Sequence, residues 1–209
     1  SPSLLLSLLA LPLLLLSEWR GSVAGKWVFK PLASLGFIGL SWERGALEHP
    51  WGQLAFASFL LCALGDVLLI PADKRAFLAG LLSFLLGHVG FAIAFASRGL
   101  VPTPLLWALP ALTMLAAIVL RWLWPHLAPK MRLPVLAYIV GISVMVLTAL
   151  CTVAWLPSPA LIGGATLFFV SDLFVARNRF IQPGFVNRAF GLPLYYAGTL
   201  LLAWASGGP

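Results

Sequence analysis

The amino-acid sequence predicts an all-α integral membrane protein of about eight transmembrane helices. Three observations predict it. Of 209 residues, 61% are hydrophobic and 9% charged, whereas a soluble domain of this length carries roughly 25% charged residues. The apolar residues come in long runs, most of them close to the roughly 20 that a helix needs to cross a bilayer. The basic residues, which bring the formal charge to +7, are scattered between those runs rather than gathered on one stripe, so they argue against a nucleic-acid partner and for loops at a membrane surface.

Cutting the chain at its charges and Pro/Gly clusters gives the spans in order, all within a single transmembrane domain over 1–209. The first, 1–17, lacks a basic leader and reads as a short span, not a cleaved signal. The second, 27–42, is short as well; such segments tilt little or thin the bilayer locally. Spans follow at 51–70 and 76–97, divided by Pro71, Asp73, Lys74 and Arg75, and at 103–124, entered through Gly99 and Pro102. The last three are 132–155, 159–176 and 186–206. All are apolar around their circumference, as helices facing lipid or one another are. Cys62 and Cys151 lie inside spans and suggest no disulfide framework.

Orientation follows from Lys and Arg in alternate loops. One set holds Arg20, Lys26, Lys30, Lys74, Arg75, Arg121, Lys130, Arg132, Arg177, Arg179 and Arg188; the other holds only Arg44 and Arg98. The richer set belongs in the cytoplasm, which puts both termini outside it, in a bacterial inner membrane or an endoplasmic reticulum. A weak internal echo is compatible with two parallel four-helix halves: Leu64-Gly65-Asp66-Val67-Leu68 resembles Val170-Ser171-Asp172-Leu173-Phe174. A chain this rich in Leu and Ala also produces such echoes by chance.

Of the six acidic residues, Glu18, Glu43, Glu48 and Asp73 fall in expected loops, where a solvated charge is the plain reading. Asp66 and Asp172 fall inside spans, each about four residues before the cytoplasmic end and so about 6 Å deep at 1.5 Å per residue. An aspartate at a helix centre costs on the order of 2.5–3.5 kcal/mol on insertion scales, which favours a polar interior and often marks function. Pairing with a basic residue or snorkelling to the interface is the weaker account of either one alone, and weaker still of both at one depth. Lys30, Tyr138, Asn178, Arg179 and Tyr196 fall in the same layer, although a tyrosine there is as readily an interfacial aromatic. His88 sits nearer mid-membrane, where a lone histidine is more often a packing residue than a catalyst. Zinc hydrolysis needs three protein ligands, and His49 and His126 are expected on opposite sides of the membrane. Nucleophile-elbow and phosphate-loop motifs do not occur. What remains is a carboxylate pair in an apolar cavity; if the two approach closely they cannot both ionise, and a proton is retained between them.

At these residues the sequence resembles the YhhN/TMEM86-type lysoplasmalogenases. The likeness rests on Lys30-Pro31-Leu32, Leu64-Gly65-Asp66-Val67-Leu68-Leu69, Phe77-Leu78-Ala79-Gly80-Leu81 with Phe84-Leu85-Leu86-Gly87-His88, and Tyr138 with Met145. Its most specific stretch is Gly164-Ala165, then Phe168-Phe169-Val170-Ser171-Asp172 and Ala176-Arg177-Asn178-Arg179-Phe180. The family commonly closes on a Tyr-Tyr-x-Ala-Gln-like run, whereas here Tyr195-Tyr196 leads to Ala197-Gly198-Thr199, so any substrate contact made by that Gln is in doubt. The resemblance implies hydrolysis of the vinyl-ether bond of a lysoplasmalogen, with Asp66 and Asp172 catalytic, with Lys30, His88, Tyr138, Asn178, Arg179 and Tyr196 around the lipid, and with no metal or organic cofactor. Two readings from other classes use membrane aspartates as well. An intramembrane aspartyl protease would want Gly where Ala63 stands and Tyr where Ser171 stands; a proton-coupled transporter would use the pair as a relay.

Overall fold

Helix ends are written into the chain by caps and glycines. Ser1, Ser22, Asp73 and Ser158 each accept a backbone N–H in the first turn of the helix that follows, and prolines occupy the first turns that begin at Pro2, Pro50 and Pro159, where a missing N–H costs nothing. Three helices stop at an Arg-Gly pair. Arg20, Arg44 and Arg98 are the C-caps, and Gly21, Gly45 and Gly99 follow at φ +66°, +79° and +97°, the left-handed conformation that a glycine adopts without steric cost.

The resulting elements, in a computed structural model that describes residues 1–153 and 158–207, are α1 (Pro2–Trp19), α2 (Val23–Glu43), α3 (Pro50–Leu68), α4 (Lys74–Ser97), α5 (Leu105–Leu123), α6 (Pro129–Val153), α7 (Pro159–Ala176) and α8 (Phe185–Ala205). Short 3-10 turns precede α3 and follow α5, and α7 runs on into a π-helical turn at Arg177–Ile181. No strand occurs among the described residues. The chain is all-α, and six of its helices are long and apolar enough to cross a membrane: α1, α3, α4, α5 with its 3-10 extension, α6, and α7 with its π turn. α2 and α8 fall short of that measure and carry more polar residues, among them Lys26, Lys30, Ser34 and Ser41 in α2 and Asn187 and Arg188 in α8. Residues 154 and 155, expected at the end of the sixth span, lie outside the described residues.

Small residues let neighbouring helices pack as antiparallel hairpins. Ser7 Oγ donates to Ala33 O at 2.7 Å, and Ser3, Ser7 and Ser17 of α1 face Gly39, Gly36 and Gly25 of α2. Gly65, Gly80 and Gly87 do the same between α3 and α4. The closest approach is in the α7–α8 hairpin: a methyl group on Gly164 would lie 2.8 Å from Gly198 O, and one on Gly198 would lie 2.9 Å from Gly164 O. Apolar helices in lipid gain little from hydrophobic contact, so such close backbone packing supplies the association. The main core is aromatic and aliphatic, centred on Phe37, Phe59, Phe91, Phe168 and Tyr196. A smaller second core joins α5 and α6 to the end of α7 through Val119, Leu123, Val135, Ile139 and Phe180.

Candidate active site

Lys30 was expected to open the second span at its cytoplasmic edge. α2 in fact starts earlier, at Val23, so Lys30 lies about two turns inside the helix and is only 4% exposed. A buried ammonium needs a partner, and it finds Asp66 on α3: Nζ lies 3.2 Å from Asp66 Oδ1 and donates to the Asp66 backbone oxygen at 2.9 Å. The other carboxylate oxygen accepts from Ser34 Oγ at 2.7 Å and from Tyr195 Oη at 2.6 Å. Ser34 is one helical turn beyond Lys30 on the same face of α2. Asp66 is thus held by a cation and two hydroxyl donors.

Asp172 on α7 has different company. Tyr138 Oη on α6 donates to its Oδ2 at 2.8 Å, and His88 Nε2 on α4 stands 3.5 Å from the same oxygen. The His88 ring is fully enclosed, 5.2 Å from the Tyr138 ring and 4.7 Å from the Phe168 ring between centroids. Among the described residues neither of its nitrogens has a hydrogen-bond partner. No Lys or Arg makes an ion pair with Asp172 among the described residues.

Both carboxylates line one cavity, together with Lys30, Tyr138, Asn178 and Tyr195. Ser171, Asn187 and Arg188 also face it, and the rest of its wall is apolar, with Phe77, Leu81 and Phe84 from α4, Val119 and Leu123 from α5, Val135, Ile139 and Ile142 from α6, and Phe169, Leu173 and Phe174 from α7. Among the described residues no three His, Cys, Asp or Glu side chains gather as a metal site would need. Equal depth was expected of the two aspartates, but Asp66 stands two residues before the end of α3, whereas α7 continues past Asp172 without a break into the π turn.

The remaining expected residues divide. Asn178 lines the cavity, but its Oδ1 also accepts from Gly184 N and Asn187 Nδ2 in a polar knot with Arg177 and Gln182 that closes the α7–α8 turn. Arg179 lies beside a second, adjoining cavity, its guanidinium 4.2 Å over the Phe77 ring. Tyr196 is fully buried behind the cavity wall, where its hydroxyl donates to Lys30 O at 3.2 Å; its neighbour Tyr195 takes the cavity position. Residue-level reading missed Tyr195, Ser34 and Arg188. Ser34 has a signal, its four-residue spacing from Lys30; Arg188, at the cytoplasmic start of the expected span 186–206, is in the first turn of α8 and reaches the cavity.

An all-α bundle of membrane-length helices with two carboxylates at one cavity defines a class: multi-pass membrane proteins with a polar site enclosed among apolar helices. The YhhN family profile matches residues 25–206, and the chain belongs to that family. It is 32% identical to the bovine protein named "Lysoplasmalogenase TMEM86A" over 184 residues, which cover 85% of this chain and 71% of the relative. It is 36% identical to the Mycobacterium tuberculosis "Lysoplasmalogenase" over 160 residues, 73% of this chain and 59% of that one. The Escherichia coli "Uncharacterized membrane protein YhhN" is 29% identical over 193 residues, 89% of both chains. No solved structure matches the chain significantly. Six membrane-length apolar helices and this kinship make it a multi-pass membrane protein.

Proposed function

We propose that the protein is a membrane-embedded hydrolase that cleaves the vinyl-ether bond of lysoplasmalogens to a fatty aldehyde and a glycerophospho-alcohol. The observation that carries the reading is the unequal pair: Asp66 faces a lysine and two hydroxyls, Asp172 makes no ion pair with a Lys or Arg among the described residues, and both line one largely apolar cavity. Relatives named lysoplasmalogenase support the substrate class.

The contrast assigns the roles. Asp172, which makes no ion pair with a Lys or Arg among the described residues, is the proton donor. It transfers that proton to the β-carbon of the vinyl ether, and the double-bond electrons form the new C–H bond. The oxocarbenium ion left behind is stabilised by the Asp66 carboxylate. Water adds to the cationic carbon and gives its proton back to Asp172; the hemiacetal then breaks its C–O bond to the glycerol, releasing aldehyde and alcohol. The division of labour parallels that of the two carboxyls of glycosidases. Lys30 fixes the Asp66 carboxylate, and Tyr138 orients Asp172.

The test is purified protein in lipid nanodiscs with a defined lysoplasmalogen and aldehyde as readout. Steady aldehyde release that needs the vinyl-ether double bond is expected. A protein that releases none, while cutting a membrane peptide or moving protons across the nanodisc, would instead be the protease or the transporter.

We infer further that all eight helices cross the membrane, with the α1–α2, α3–α4, α5–α6 and α7–α8 turns in the cytoplasm. The antiparallel hairpins support this, as do exposed tryptophans at the two ends of the bundle: Trp19, Trp27, Trp122 and Trp124 at one, Trp42, Trp107 and Trp204 at the other, as interfacial belts require. A cysteine placed in the 71–73 turn of a cysteine-free chain should react with an impermeant maleimide only when the cytoplasmic face is opened; labelling from outside intact cells would reject the orientation.

A further inference from the structure

Beside the carboxylate cavity lies a second one at the same end of the bundle, and the two share Leu69, Phe77, Val175, Asn178 and Arg188 as wall. Its charged lining is entirely basic: Lys26 from α2, Arg179 from the π turn and Arg188 from α8. Among the described residues none of the three side chains makes a hydrogen bond. Lys26 and Arg188 instead divide one carboxylate, Glu18 at the end of α1, at 3.7 and 3.9 Å, and Arg179 rests on an aromatic face. Those distances are too long for charge-assisted hydrogen bonds. Three cations with unused donors therefore surround a space served by one loosely held acid, at the door of a cavity whose own lysine is already neutralised by Asp66.

We propose that this vestibule seats the phosphodiester of the lipid, with Arg188 and Lys26 as its principal partners, Arg179 as a third cation, and Glu18 as a resident counter-ion that the phosphate displaces. The proposal rests on the lipid substrate read above and adds the groups that recognise its head. An arginine fork matches two phosphate oxygens, and a carboxylate already shared between the same two cations marks where an anion is stable. The shared wall puts the head group in the vestibule while the glycerol backbone reaches past Asn178 toward the carboxylates and the chain enters the apolar cavity.

Binding can be read without turnover by using a saturated 1-O-alkyl lysophosphocholine, which has no vinyl ether, beside the matching 1-O-alkylglycerol, which has no phosphate. Arg188→Gln and Lys26→Gln should each weaken the phospholipid about tenfold and leave the alkylglycerol unchanged; Arg179→Gln should weaken it less, and Glu18→Gln should tighten it. Weakening of both ligands alike, or of neither, overturns the proposal. So does displacement of the alkyl phospholipid by sodium phosphate at equal concentration, which would mark a free-anion site. Aldehyde release by the unaltered protein is measured in parallel. A binding contrast without aldehyde rejects the hydrolase and keeps the seat; aldehyde without the contrast rejects the seat alone.

Discussion

Asp66 and Asp172 look out on the same cavity from two different hairpins, one near the end of α3, the other inside α7. Asp66 has Lys30, Ser34 and Tyr195 directed at its oxygens. Asp172 has one phenol, an imidazole at a longer distance, and aromatic carbon behind. Two identical side chains thereby meet different surroundings, one beside a cation and two hydroxyls, the other beside a phenol and an imidazole. The difference lies in what faces each residue, not in the residue itself or in its sequence context, since both stand in similar pentapeptides.

The sharpest way to break that comparison is to neutralise each in turn. Asp172→Asn should lower aldehyde release by about 10²–10⁴-fold, the usual worth of a positioned proton donor, while the protein stays folded, because no cation is left unpaired. Asp66→Asn should also lose turnover, but it strands the Lys30 ammonium in the bundle. Removing one partner of a buried pair costs about 3–5 kcal/mol, so this variant should unfold at lower temperature. Lys30→Met with Asp66→Asn should recover most of that stability and none of the activity. If the two single Asn variants prove equally stable, the asymmetry assigned here is wrong.

Much of this arrangement is legible in the sequence. Long apolar runs located every helix, and the scarcity of acids inside them singled out Asp66 and Asp172. Boundaries were less legible, because cutting at charges assumes that charged residues sit outside helices. Lys26 and Lys30 are helical, the first reaching the vestibule and the second buried on its carboxylate, so α2 begins four residues before the expected 27–42. Side-chain direction was the least legible. Tyr195 and Tyr196 differ by one residue and about 100° of helix rotation, and depth alone cannot say which one meets the cavity. The knot of Arg177, Asn178, Gln182 and Asn187 depends on a π turn that has no signature in apolar periodicity.

A smaller effect tests the Asp172 side alone. Tyr138→Phe keeps the ring against His88 but removes the hydroxyl that donates to Asp172. Turnover should fall by about tenfold, the worth of one hydrogen bond to a reacting group, with substrate affinity little changed. A rise in KM with kcat preserved would instead make Tyr138 a contact for the lipid.

The smallest effect separates the adjacent tyrosines. Tyr195 Oη gives Asp66 its shortest hydrogen bond, 2.6 Å, so Tyr195→Phe withdraws one of two hydroxyl donors from the carboxylate that faces the developing cation. Tyr196 Oη donates to Lys30 O at 3.2 Å and lies 3.4 Å from Ser34 Oγ, and it makes no hydrogen bond with the Asp66 carboxylate. Losing that bond to a backbone carbonyl costs about 0.5–1.5 kcal/mol of stability and leaves the Asp66 contacts of Lys30, Ser34 and Tyr195 in place. Tyr195→Phe should therefore slow aldehyde release severalfold, and Tyr196→Phe should lower the melting temperature slightly at an unchanged rate. The two proteins differ by the position of a single oxygen atom. If Tyr196→Phe is the slower of the two, the wall of the site has been drawn one residue out of register along α8.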